Sequence, residues 1–154
     1  MDNQFSITSI NHMLKLQTIT ELRDCNEYTQ QFGLSLTDTQ IHQLAEKRFE
    51  ALEDNGRVEF GEGILKKLIR TFCDSPYLTQ INYEETMEAL QDSFYYFKNE
   101  SEDLLSDDEL IEFMKDAFDT VCEGSIDYLN STSLEKLCRD IRNGDQDANE
   151  ETFE

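Results

Sequence analysis

The residues best suited to chemistry are four cysteines and two histidines. The cysteines are Cys25, Cys73, Cys122 and Cys138, scattered with no CxxC pair. Cys73 stands beside Asp74 in the run FCDSPY, which also holds the single proline of the chain. A thiol next to a carboxylate is a candidate catalytic pair, a nucleophile with an orienting acid. A thiolate nucleophile, however, needs a base or a local positive field. His12 and His42 are the only imidazoles, and no spacing brings either to Cys73. A neighbouring carboxylate also raises a thiol pKa. Cys73 therefore reads as a packed thiol at a helix end. Two histidines and four dispersed cysteines also lack the spacing of a zinc site.

Two stretches have the outline of a calcium helix-loop-helix. In ALEDNGRVEFGE, Gly56 falls at the sharp-turn position 6 and Val58 at position 8, with Glu53, Asn55, Glu59 and Glu62 at positions 3, 5, 9 and 12. In DTVCEGSIDYLN, Asp119 takes position 1, and Glu123 and Asp127 flank Gly124 and Ile126. Calcium wants six to eight oxygens, several of them charged. The first loop lacks the acid at position 1. The second has Val121 at position 3 and Asn130 in place of the bidentate glutamate. Calcium binding is an expectation of low occupancy, and ordinary turns between helices explain both stretches. The sequence requires no cofactor.

Charge is the strongest global signal. The formal net charge is −21 over 154 residues, and residues 81–124 hold 14 acids against 2 bases. Such a surface repels nucleic acid and anionic membranes and attracts a basic protein. No apolar run approaches a membrane span, and the N-terminus lacks a secretory pattern. The chain reads as a cytoplasmic protein. Paired acids such as Glu84-Glu85 and Asp107-Asp108 fall in first turns of helices, where the helix dipole favours anions. Gly61-x-Gly63 is too short to mark a phosphate cradle.

The elements that must position these residues are helices. Thr18-x-x-Glu21, Thr37-x-x-Gln40 and Ser106-x-x-Glu109 have the spacing of capping boxes. The first predicts a helix from Thr18 to a stop at Gly33, with Ile19, Leu22, Tyr28 and Phe32 as its stripe. A shorter piece around Ile10, Met13 and Leu14 precedes it. The second opens a helix carrying Ile41, Leu44, Ala45, Phe49 and Leu52, closed by Asn55-Gly56. Val58 and Phe60 give a short strand-like alternation near 57–60. Ile64, Leu65, Leu68, Ile69 and Phe72 share one face, and Pro76 ends that helix. Asn82 is a candidate N-cap for the strongest pattern, Tyr83, Met87, Leu90, Phe94 and Phe97. A fifth helix turns Leu110, Ile111, Met114, Ala117, Phe118 and Val121 inward. A last short one buries Leu134, Leu137, Cys138 and Ile141. The reading is an all-α bundle of five to seven helices over residues 1–144, with an acidic disordered tail at 145–154.

The wording of RVEFGEGILKKLIRTFCDSPY, NYEETMEALQDSFYYFKNE, SDDELIEFM and CEGSIDYL resembles a small bacterial family of short cytoplasmic proteins, a domain of unknown function. The likeness spans roughly residues 30–143. It implies one unit and no established activity. The function expected from the residues themselves is non-catalytic: a helical scaffold presenting an acidic face to a basic partner. Tyr95, Tyr96, Glu102, Asp103, Asp107 and Asp108 are the candidate contacts. An enzyme using Cys73 and a calcium protein are the alternatives.

Overall fold

The computed structural model describes residues 2–59 and 63–144, with side chains from His12 onward. Five main helices run α1 Asp2–Thr29, α2 Asp38–Asp54, α3 Ile64–Phe72, α4 Tyr83–Glu100 and α5 Asp107–Asp119. A final helical rod joins α6 Ile126–Tyr128, a π-helical turn Leu129–Leu134 and α7 Glu135–Arg142. The expected all-α bundle is what forms. The described residues contain no strand, and residues 57–59 of the strand-like segment are irregular chain. Phe60 and the acidic tail at 145–154 lie outside the described residues.

Two of the three capping boxes close. Thr37 Oγ1 accepts from Gln40 N at 3.2 Å while Thr37 N donates to Gln40 Oε1 at 2.9 Å. Ser106 and Glu109 repeat the exchange at 3.1 and 2.8 Å. These hydrogen bonds hold the Glu109 carboxyl below its usual range. The third box does not form, because α1 is already helical upstream of Thr18. No first-turn N–H is free there, and the buried Thr18 hydroxyl donates instead to Leu14 O at 3.0 Å. Tyr28 and Phe32 also depart from the expected stripe. They lie at the surface with ring centroids 5.9 Å apart, and the Arg70 guanidinium sits 4.9 Å above Tyr28.

Helix α4 is the hub. It packs against α2, α3, α5 and the final rod. The predicted stripe Tyr83, Met87, Leu90, Phe94 and Phe97 is wholly buried, and a second inward face adds Gln91 and Tyr95. A helix hydrophobic on more than one face needs partners on each. Phe72 of α3 meets Phe118 of α5 edge-on at 5.4 Å, and Tyr77 meets the same ring at 6.3 Å.

The run FCDSPY is the joint between α3 and α5. Asp74 is paired with Lys115 at 2.8 Å, and the Ser75 hydroxyl donates to Asp119 at 2.6 Å. Asn82 precedes α4 but does not cap it. Its side chain bonds backward, accepting from Thr79 N at 2.8 Å and donating to Tyr77 O at 3.1 Å. That closes the turn before the helix rather than satisfying the helix itself. Gly124 sits at φ +81°, and a Cβ there would lie 2.6 Å from Tyr77 Cβ. The α5–α6 turn therefore excludes a side chain on two grounds. Val121, expected to face inward, is exposed because α5 ends at Asp119, two residues before it.

Candidate functional site

Helix α4 has a third face, one that neither buried stripe uses. Ala89, Asp92, Ser93 and Tyr96 line it, with the edge of Phe97. The final rod supplies the opposite wall through Asp127, Asn130, Ser131 and Glu135. Together they bound an open groove of about 700 Å³. The π-helical turn shapes that wall. Its ends, Leu129 and Leu134, are fully buried, while Asn130 and Ser131 between them are left at the groove. A π-turn re-aims side chains relative to an α-helix and recurs at functional positions. Across the groove floor the Ser93 hydroxyl donates to Asn130 Oδ1 at 2.6 Å, which fixes the separation of the walls.

The groove is negative. Asp92, Asp127 and Glu135 line it, and no lysine or arginine does so among the described residues. Glu135 has Arg139 at 3.7 Å. Among the described residues neither Asp92 nor Asp127 has such a partner. Partial burial pushes the Asp92 carboxyl above its usual range. Glu88, Asp54 and Glu50 add to the rise, and Lys47 opposes it. Tyr96 stands at the rim, 51% exposed, its ring edge-on to Phe97 at 4.9 Å. Carboxylates beside an exposed aromatic face suit a cationic side chain, which gains both Coulomb attraction and a cation–π contact.

A second polar constellation lies inside the bundle. The Arg48 side chain is 1% exposed. Its Nε donates to Glu59 Oε1 at 3.0 Å, and a terminal nitrogen reaches the Thr18 hydroxyl. The Tyr95 hydroxyl donates to the same glutamate oxygen at 2.6 Å. Burial first, and the adjacent carboxylate second, push the Tyr95 phenol far up. Gly63 completes the contact, since a Cβ there would lie 3.0 Å from Arg48 Nε. These bonds tie the α2–α3 loop to α1, α2 and α4. Farther along the loop, Arg57 reaches Asn99, and it pairs with Asp103 at 3.0 Å.

A family model described as "Family of unknown function (DUF6323)" matches residues 21–147. The chain belongs to this family. No curated protein and no solved structure matches the chain.

In this DUF6323 member the residues expected to contact a partner do not form one surface. Tyr95 is a core residue, 1% exposed, because Glu59 and Arg48 draw its hydroxyl inward. Asp103 is held by Arg57, Asp107 by Lys98 at 2.9 Å and Asp108 by Lys67 at 3.0 Å. Glu102 is exposed, with φ +57°. Tyr96 alone of the set lines the groove. The calcium candidates are also dispersed. Glu59 belongs to the buried network, and Asn55 donates to Ala51 O at 2.8 Å. Asp119 is bound by Lys115 and Ser75, Glu53 and Glu123 are exposed, and Asp127 faces the groove. Glu62 lies outside the described residues. Among the described residues no three Asp, Glu, His or Cys side chains are placed to hold a metal ion. Cys73 is buried, and its thiol is pushed up by burial and then by Asp74.

Sequence reasoning missed Arg48, Asp92 and the π-turn. Arg48 had a signal: it continues the Ile41, Leu44, Ala45 face of α2, where a charge must find an internal partner. Asp92 follows Gln91 on the most periodic helix and looked like ordinary solvated surface. The polar run NSTS inside a helical pattern gives no local sign of a π-turn.

Proposed function

We propose that this protein is a non-catalytic interaction module whose α4–α7 groove receives a basic segment of a partner protein. The observation carrying this reading is the groove itself. Three carboxylates and an exposed tyrosine converge there, and among the described residues no lysine or arginine lines it. Elsewhere on the acidic half, Lys98 and Lys115 are spent on Asp107, Asp74 and Asp119. Behind the groove Glu88, Asp54 and Glu50 add to the negative field on Asp92, and Lys47, paired with Glu50 and Glu88, opposes it in part. A lysine or arginine entering would relieve that crowding and cover Tyr96. The module acts, on this reading, in the bacterial cytoplasm. Four unpaired buried thiols suit a reducing compartment. Among the described residues no helix is long and apolar enough to cross a membrane.

The test is affinity capture from native lysate with the wild type and with D92N/D127N/Y96A, at low and high salt. Proteins retained by the wild type, released by salt and lost by the variant support the reading. An identical retained set for both baits would overturn it.

A further inference from the structure

The geometry points to arginine, rather than lysine, as the residue that the partner lays over Tyr96, an assignment that rests on the groove being the docking site.

A single hydrogen bond divides the groove. Helix α4 and the final rod run in the same direction. Ser93 meets Asn130, Phe97 O accepts from Cys138 Sγ at 3.4 Å and Glu100 meets Arg142 at 3.1 Å, in that order along both. Asp92 and Asp127 precede the Ser93–Asn130 bond in their helices, whereas Tyr96 and Glu135 follow it. One end of the groove is therefore a pair of carboxylates, and the other is an aromatic ring with one carboxylate. Asp92 and Tyr96 are four residues apart, about 6 Å along the helix axis.

The two ends suit different cations. Among the described residues Asp92 and Asp127 have no ion-pair partner, and Lys47, which acts on Asp92 from α2, is itself paired with Glu50 and Glu88. That end offers charge alone and attracts ammonium and guanidinium alike. At the other end Arg139 lies 3.7 Å from Glu135 and offsets part of its charge. What that end adds is the Tyr96 ring, 51% exposed. Its plane is set by buried Phe97, which meets it at 87° with centroids 4.9 Å apart. A flat face held beside a carboxylate fits a flat cation. Guanidinium can stack on the ring and still direct its in-plane N–H groups at Glu135, and it is the more weakly hydrated of the two cations. Ammonium has no plane and gives up more hydration to cover the ring. The same pairing exists within the molecule, where the Arg70 guanidinium lies 4.9 Å above Tyr28. Affinity and its salt dependence thus belong to the Asp92 end, and the choice of cation to Tyr96.

Nuclear magnetic resonance titration of the isotope-labelled full chain with the capped peptides ARARA and AKAKA tests this. Alternate residues of an extended peptide lie roughly 7 Å apart, close to the spacing of Asp92 and Tyr96. The backbone amides of Ser93, Tyr96, Asn130 and Ser131 report binding at the groove. ARARA should bind about 3–10-fold more tightly than AKAKA. D92N/D127N should weaken both peptides alike and flatten their salt dependence, with that ratio kept. Y96L should bring the ratio below about 2-fold. Tyr96 is exposed, so the circular dichroism of Y96L should match the wild type. Equal binding of the two peptides to the wild type, or a preference for ARARA that survives Y96L, would overturn the arginine assignment and leave the groove reading standing. Failure of both peptides to shift the groove amides would overturn the two together.

Discussion

Replacing Arg48 with methionine should destabilise the protein by about 3 kcal/mol, the lower part of the range for breaking a buried ion pair. The magnitude follows from what is left behind. The Glu59 carboxylate would keep the Tyr95 hydroxyl at 2.6 Å and lose Arg48 Nε at 3.0 Å. Thr18 would still bond Leu14 O at 3.0 Å, so its hydroxyl adds little to the loss. The cost is therefore that of an underpaired carboxylate. Glu59, with a side chain 16% exposed, sits on a loop that can turn it partly to water, which keeps the figure below 5 kcal/mol. Urea denaturation followed by far-ultraviolet circular dichroism measures it, with an unchanged m-value confirming a simple loss of stability. In a domain of this size the midpoint temperature should fall by about 6–12 °C. The double variant R48M/E59L removes both charges. It should regain at least about 1 kcal/mol over R48M, because apolar replacement of a whole buried pair is far milder than orphaning half of it. A loss under about 1 kcal/mol in R48M, or no recovery in the double variant, would mean that water already solvates the pair and that it does not pin the loop.

Two further outcomes follow from the same structure. Asp92→Asn should raise stability at pH 7 by no more than about 0.5 kcal/mol, a small gain because water still screens this partly exposed carboxyl. The sign is set by its upward-shifted folded pKa. The charged form is disfavoured in the folded state, so the cost is present above that pKa and disappears as pH falls below the ordinary carboxylate value. A gain that persists at pH 3 would contradict this cause. The native thiols should react slowly with a disulfide reagent at pH 7. Burial raises Cys25 and Cys138 to about 11 from 9.0, leaving about 100-fold less thiolate, and Cys73 is shifted the same way. A fast phase assigned to Cys73 by mass spectrometry would revive a nucleophilic role for that residue.

The helices, and most of what lies inside them, are legible from local residue spacing alone. The spacing of Tyr83, Met87, Leu90, Phe94 and Phe97 repeats at the helical pitch, and each of these side chains is buried. Thr37 and Ser106 begin helices because a hydroxyl and an acceptor three residues later satisfy free N–H groups locally, with no help from distant chain. These are short-range consequences of backbone geometry, so they are legible one segment at a time. Which polar residues stay outside depends on long-range packing. Thr18 has the same local spacing as a cap, yet it became a buried acceptor for Arg48, 30 residues away. Tyr95 and Tyr96 are neighbours of one type, but one is aimed at Glu59 and the other at solvent. Asp92, Asp127 and Glu135 make one groove although 43 residues of chain separate the first from the last. Burial and charge depend on what packs against a helix, and that is set by contacts distant in sequence, which no periodicity within a single helix records.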